Sequence, residues 1–425
     1  MNTRVGILSF LVAATVCTGL QTADAKPPPT AEAWITPLVL DTGEAGVLEV
    51  SVRSLGEHSI EVTQRGAAVR LRKLPKGCKL AGVKGQSLGF RLAHDAEAAV
   101  VHLPIRSATP CTGPISGTVA LRVCEGNRAD VGSCSKQTLA FEGVARIGEP
   151  PPASSHPAVR RIVALGDVHG DLGALRKALV LAGVVDANDA WIGGDTWVVQ
   201  TGDQTDRGDD EREIFEYLER LRLGALAGGG RVIVLNGNHE TMQASGDLRY
   251  VTPGGFDDFP EPPSDTPVAD GANPDQVART RAFAPGSAWA RVLATRNLAV
   301  KVGDTVFVHG GVSPEWAKIG LEGFNAPTRA WLAGKAEAPD AIKDPEGPVW
   351  NRTYSQDTDA TGCSQLEDAL EALGAKRMVV GHTVQEGVTQ ACGGQVWRVD
   401  VGMAAHYGGE PSAIEIVGDE VRILK

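Results

Sequence analysis

The sequence predicts two folded units in tandem: a smaller all-β, sandwich-like domain, then an α/β domain of central β-sheets flanked by helices. Three observations lead there. At 425 residues the chain exceeds what one hydrophobic core usually serves. With 42% hydrophobic and 22% charged residues it can bury large cores, which excludes global disorder. Near residue 160 the texture changes from period-two alternation to apolar strands followed by polar, Gly-containing turns and amphipathic stretches.

Arg4, the apolar run Val5 to Leu20 and the small-residue site Ala23-Asp24-Ala25 read as a signal peptide over residues 1–25. The run is short for a membrane span, which needs roughly 20 residues, and no later segment qualifies. An exported protein, periplasmic or extracellular, is expected. Its formal charge of −11 argues against a polyanion-binding surface and so against nucleic acid as partner. Removing Cys17 leaves six of the seven cysteines, an even number compatible with disulfides in an oxidising compartment. Cys78, Cys111, Cys124 and Cys134 lie in the N-terminal part and Cys363 and Cys392 far downstream, so pairs are expected within each part.

Residues 26–147 form the β-rich unit, with alternating stretches such as Val47–Val52 and Gly117–Val123 between Gly, Pro and Asp turns. Residues 148–159, rich in Pro and Ser, read as a linker. Residues 160–425 form the α/β unit, with strands expected at Arg161–Leu165, Trp197–Gln200, Arg231–Leu235, Thr305–Val308, Arg377–Val380 and Val396–Val399. The segment 250–287, rich in Pro, Asp and Gly, is too long for an ordinary connection and is expected to be a lid or a mobile insertion.

Chemistry-bearing residues cluster just after these strands, where open α/β sheets place their ligands. The first turn reads Gly166-Asp167-Val168-His169-Gly170, which alone could equally be a structural Gly/Asp turn. Gly202-Asp203-Gln204-Thr205-Asp206-Arg207-Gly208 follows the second strand and Gly237-Asn238-His239-Glu240 the third. His309 and His382 follow two later ones. Together they form an N/O donor set without sulfur, suited to Mn, Fe or Zn.

This ordered set of motifs, spanning residues 161 to about 405, resembles the phosphoprotein phosphatase branch of the calcineurin-like metallophosphoesterases. The run Gly202–Glu211 and Gly237–Met242 are most similar to the Shewanella-like protein phosphatases. The resemblance implies an α/β metallophosphoesterase sandwich holding two divalent metal ions. It assigns Asp167, His169 and Asp203 to one ion and Asp203, Asn238, His309 and His382 to the other. It further implies that the ions activate a shared water for in-line attack on phosphorus. His239 is then the general acid, Asp206 its orienting partner and Arg207 the phosphate clamp, with Arg352 a second clamp. Asp400 is expected to order a ligating histidine or to be structural.

The function expected is hydrolysis of phosphomonoesters, with a phosphorylated protein or a small phosphate ester as substrate. An exported nucleotide phosphoesterase is the alternative enzyme. A decayed binding protein acting through its β-domain is the alternative of another class, disfavoured because every expected motif position holds the expected residue type. The N-terminal domain could engage an envelope component.

Overall fold

The computed structural model describes residues 31–54, 58–61, 68–75, 78, 98–107, 109–125, 134–259, 273–356 and 358–425. The expected signal peptide and Cys17 lie outside the described residues. No helix among the described residues is long and apolar enough to cross a membrane.

Strand after strand in the C-terminal part is apolar on both faces, because both faces are covered. One sheet runs Arg231–Val234, Trp197–Gln200, Ile162–Leu165, Ala413–Val417, Glu420–Leu424; its first three strands are parallel and a C-terminal hairpin closes it. The other runs Thr389–Ala391, Val396–Arg398, Arg377–Val380, Thr305–Val308, Ala299–Val302, Ser155–His156. Alternation along Ile162–Leu165 shows how the layers form. Ile162 and Ala164 face the second sheet's Val300, Phe307 and Val379. Val163 and Leu165 turn outward onto Leu175 and Leu179 of the helix Leu172–Leu181 and Leu218 of the helix Glu211–Ala227. On the far side, Val306, Val308, Met378 and Val380 pack against the helices Leu321–Leu332 and Ala360–Leu373. The result is a helix–sheet–sheet–helix sandwich, the α/β fold class expected.

In the N-terminal part, Ala31–Ile35, Ala45–Ser54 and Ala98–Arg106 form one antiparallel sheet. Leu38–Leu40, Cys134–Ile147, Cys111–Glu125, His58–Glu61 and Ala68–Lys73 form another, and residues such as Ile35, Val50, Ile115 and Phe141 fill the core between them. Disulfides join Cys78 to Cys111 and Cys363 to Cys392, each within one part of the chain, and strand register sets Cys124 opposite Cys134.

One expectation needs correction. The stretch 148–159 is not only a linker: Ser155–His156 pairs in parallel with Lys301–Val302 and forms the edge of the second sheet. A Pro/Ser composition hides a two-residue strand because backbone hydrogen bonds need no particular side chains. At its described ends the 250–287 segment forms the helices Pro253–Asp257 and Pro274–Phe283. Phe259 and Phe283 pack edge to face at 4.8 Å and join Phe215 and Trp289 in the core, an aromatic cluster too sparse in sequence to show periodicity. Residues 260–272 lie outside the described residues.

The two parts meet across ion pairs. Arg146 bonds Glu219 at 3.2 Å, Arg291 bonds Glu44 at 2.8 Å, and Arg212 pairs with Glu32 while its guanidinium lies 4.2 Å from the Trp34 ring centroid.

Candidate active site

The C-terminal ends of Ile162–Leu165, Trp197–Gln200, Arg231–Val234, Thr305–Val308 and Arg377–Val380 bring the five motifs to one edge of the sandwich. The loops approach so closely that glycine is required between two of them. A Cβ on Gly208 would meet the Gly170 carbonyl oxygen at 2.5 Å, so no larger residue fits there without moving His169 or Arg207. Seven described non-glycine residues have positive φ, and five are His169, Asp203, Asp206, Arg207 and His382. Backbone held in this disfavoured region is aimed rather than relaxed.

Asp203 is the hub. Its Oδ2 lies 3.2 Å from His309 Nε2, 3.7 Å from His169 Nε2 and 3.8 Å from His239 Nε2, all four residues being buried. The tautomers follow from the other ring nitrogens. His309 Nδ1 donates to the Thr201 carbonyl at 3.1 Å and His169 Nδ1 to the Thr205 carbonyl at 3.0 Å. With the proton on Nδ1 alone, each ring presents a bare Nε2 lone pair. For His309 that lone pair faces the Asn238 Oδ1 at 2.9 Å and the His382 Nδ1 at 3.1 Å. These donor atoms gather around the buried Asp203 carboxylate, and His382 Nε2 is buried with no hydrogen-bond partner, so the residues fit a metal. Two ligand-capable groups emerge, His169–Asp203–His239 and Asp203–His309–His382, sharing Asp203.

Charge supports the fit. Burial raises the Asp167 carboxyl well above its ordinary range, and the neighbouring carboxylates of Asp400 and Asp203 push it further. Asp400 is itself pushed up to about 6, chiefly by burial. Burial opposes ionisation of Asp203 too, but the facing imidazoles of His309, His239 and His169 hold it well below the usual range. Burial takes His169 down to about 3, and burial with the neighbouring His309 takes His382 well below its ordinary value. Buried carboxylates beside His169 and His382, whose charging burial opposes, favour added positive charge.

His239 differs. Its Nδ1 lies 2.5 Å from Asp206 Oδ2, and although burial works against its charge, Asp203 and Asp206 raise its pKa to about 9. Where burial pushes His169 and His382 toward the neutral form, these two carboxylates push His239 toward the protonated one. Arg207 is half-buried, its guanidinium 4.0 Å from the Tyr250 ring centroid. Arg352 is exposed and donates to the His382 carbonyl at 3.0 Å and Thr383 Oγ1 at 2.7 Å.

The structure thus brings Asp203, His169, Asn238, His239, His309 and His382 together. Asp167 sits beside them with its carboxylate accepting from the His382 backbone N–H at 3.0 Å, outside the two groups. Asp400 accepts from Gly402 N–H at 2.9 Å and faces Asp167 rather than a histidine ring.

Sequence reasoning gave Glu240 no role. Fully buried at the third position of the helix Asn238–Ala244, it accepts from the backbone N–H groups of Gly237, Asp203, Gln204 and Thr205 at 2.7 to 3.1 Å. The signal was a Glu three residues into a helix, the acid half of a capping box.

Comparison with known proteins agrees with this geometry. The family described as calcineurin-like phosphoesterase matches residues 160–386. Shewanella-like protein phosphatase 2 of Arabidopsis thaliana is 36% identical over 305 residues, covering 62% of this chain and 77% of that protein. Shewanella-like protein phosphatase 1 of Plasmodium berghei is 28% identical over 279 residues, covering 62% and 74%. A solved cold-active protein tyrosine phosphatase shares the fold, with a TM-score of 0.58 at 23% identity over 73% of this chain and 91% of that one. The family uses two divalent metal ions, and the shared Asp203 groups are capable of binding them. The chain belongs to the calcineurin-like phosphoesterase family and is a metal-dependent hydrolase of phosphomonoesters.

Proposed function

We propose that the protein is an exported phosphoprotein phosphatase. The observation that carries the reading is the His239–Asp206 pair standing beside Asp203, a proton donor held next to a cation-demanding carboxylate. Asp203 and His169, with Asp167 beside them, would hold one divalent ion, and Asp203, Asn238, His309 and His382 the second, with Mn, Fe or Zn suited to such donors. When bound, the pair lowers the pKa of a water and offsets phosphoryl charge. The protein's own groups do the rest. Asp206 accepts the Nδ1 proton of His239 and stabilises the imidazolium, leaving the Nε2 proton for the departing alkoxide. Arg207 and Arg352 donate paired hydrogen bonds to the phosphoryl oxygens. The names of the relatives support a protein substrate. The N-terminal signal-like segment and the disulfides among the described residues support export.

The test is turnover by the metal-loaded protein on Ser, Thr and Tyr phosphopeptides beside nucleotides, with cell fractionation alongside. Asp203→Asn is expected to lose metal and activity together. His239→Asn is expected to keep its metal and lose roughly 10²–10⁴-fold in rate. Faster hydrolysis of nucleotides than of every phosphopeptide would refute the protein substrate, and unimpaired His239→Asn would remove the general acid.

A further inference from the structure

Arg279 lies far in sequence from the phosphate-binding motifs, in the helix Pro274–Phe283, and its side chain is entirely buried. Its Nε donates to Gln243 Oε1 at 2.9 Å and its Nη1 to the Gly255 carbonyl at 2.7 Å, while Nη2 pairs with Glu211. Phe259 and Phe283 flank the guanidinium at 4.4 and 4.9 Å from their ring centroids.

Both polar partners lead to one residue. Gln243 has its oxygen occupied by Arg279, so its amide N–H₂ must face the other way, and it donates to Asp206 Oδ1 at 2.7 Å. Glu211 accepts from the backbone N–H of Asp206 at 2.5 Å through its other oxygen. Asp206 is therefore gripped twice, by side chain and by backbone, and both grips close on Arg279. Its φ of 69° is one a non-glycine residue does not hold unaided. The remaining carboxylate oxygen, Oδ2, is the one facing His239. A buried ion pair is a poor way to add stability compared with apolar packing, whereas it fixes geometry well.

We propose that Arg279 is a positioning residue for catalysis: through Gln243 and Glu211 it sets the orientation of Asp206 and hence the aim of the His239 proton donor. This rests on the reading of His239 as general acid. The helix Pro274–Phe283 then serves as an internal strut of the active site.

Protonation of the leaving oxygen matters more as that oxygen becomes more basic, so the readout is leaving-group sensitivity. The substrates are p-nitrophenyl phosphate and phenyl phosphate, similar in size but unlike in leaving-group basicity. The ratio of their kcat/KM values comes from one sample and does not depend on how much of it is folded or metal-loaded. Arg279→Met and Gln243→Met are expected to lower the phenyl-to-nitrophenyl ratio on the order of 10-fold, as misalignment of a catalytic group does. Arg279→Lys keeps the charge without the planar fork, and a lowered ratio is expected there too. His239→Asn is the control. If it lowers the ratio while the Arg279 and Gln243 variants lose rate equally on both substrates, Arg279 is structural and the proposal is overturned. If His239→Asn leaves the ratio unchanged, the general-acid reading fails first and takes this inference with it.

Discussion

Replacing Glu240 by Gln changes almost nothing in shape and reverses the hydrogen-bonding sense of one atom. The carboxylate takes two backbone N–H groups on each oxygen: Gly237 and Asp203 on Oε2, Gln204 and Thr205 on Oε1. An amide offers one oxygen and one N–H₂, so whichever way it turns, two buried N–H donors face a donor. Each such orphan costs about 1–3 kcal/mol, so the variant should lose about 2–6 kcal/mol of stability. That is a large part of the ~5–15 kcal/mol by which folded proteins usually exceed their unfolded states. Asp203 rides on the loop that loses its anchor, so metal affinity should fall with it. Urea melts of chelated protein measure the first effect free of metal linkage, and titration with Mn measures the second. Thr205→Val removes only the weaker hydroxyl contact to Glu240 at 3.2 Å and should cost less than about 1.5 kcal/mol. A Glu240→Gln protein that melts with wild type and binds metal equally well would refute the reasoning.

Other consequences are open to similar measurement. Burial and the charge of Glu213 raise Asp258 from 3.8 to about 8. A carboxyl raised in the fold contributes stability below its unfolded pKa and loses it as pH climbs through the folded value. Asp258→Asn should therefore gain in melting temperature relative to wild type between pH 5.5 and 8.5; a pH-independent difference would contradict this. Gly208→Ala drives a methyl into the Gly170 carbonyl, and phosphatase activity should drop at least ~10-fold as the loops of His169 and Arg207 part. Wild-type turnover would show the loops adjust. Cys392→Ser opens a bond between residues 29 apart, tying the helix Ala360–Leu373 to the sheet edge. About 3–4 kcal/mol should disappear from a urea melt, and an unchanged midpoint would rule that contribution out.

The central strands could be read because their physics is local. Trp197–Gln200, Thr305–Val308 and Arg377–Val380 are short apolar runs ended by Gly-containing turns, and the structure keeps those bounds. The motifs sit at their ends, so the convergence of His169, Asp203, Asn238, His309 and His382 could be read too. Arg279 and Glu211 could not. Each is a charged residue in a polar-looking stretch, and nothing local says that partners remote in sequence bury both. Ala299–Val302 and the hairpin Ala413–Leu424 also escaped, being brief runs with no turn motif of chemical interest. The ion pairs between the two parts, such as Arg146 with Glu219, are likewise long-range and leave no periodic trace.

Pairing of Ser155–His156 with Lys301–Val302 bears on how the molecule can be dissected. A catalytic fragment cut at residue 160, where the family match begins, would strip this border and leave the backbone of Ala299–Val302 open to recruitment by another chain. Such a fragment should clump at concentrations where one starting before Ser154 stays dispersed.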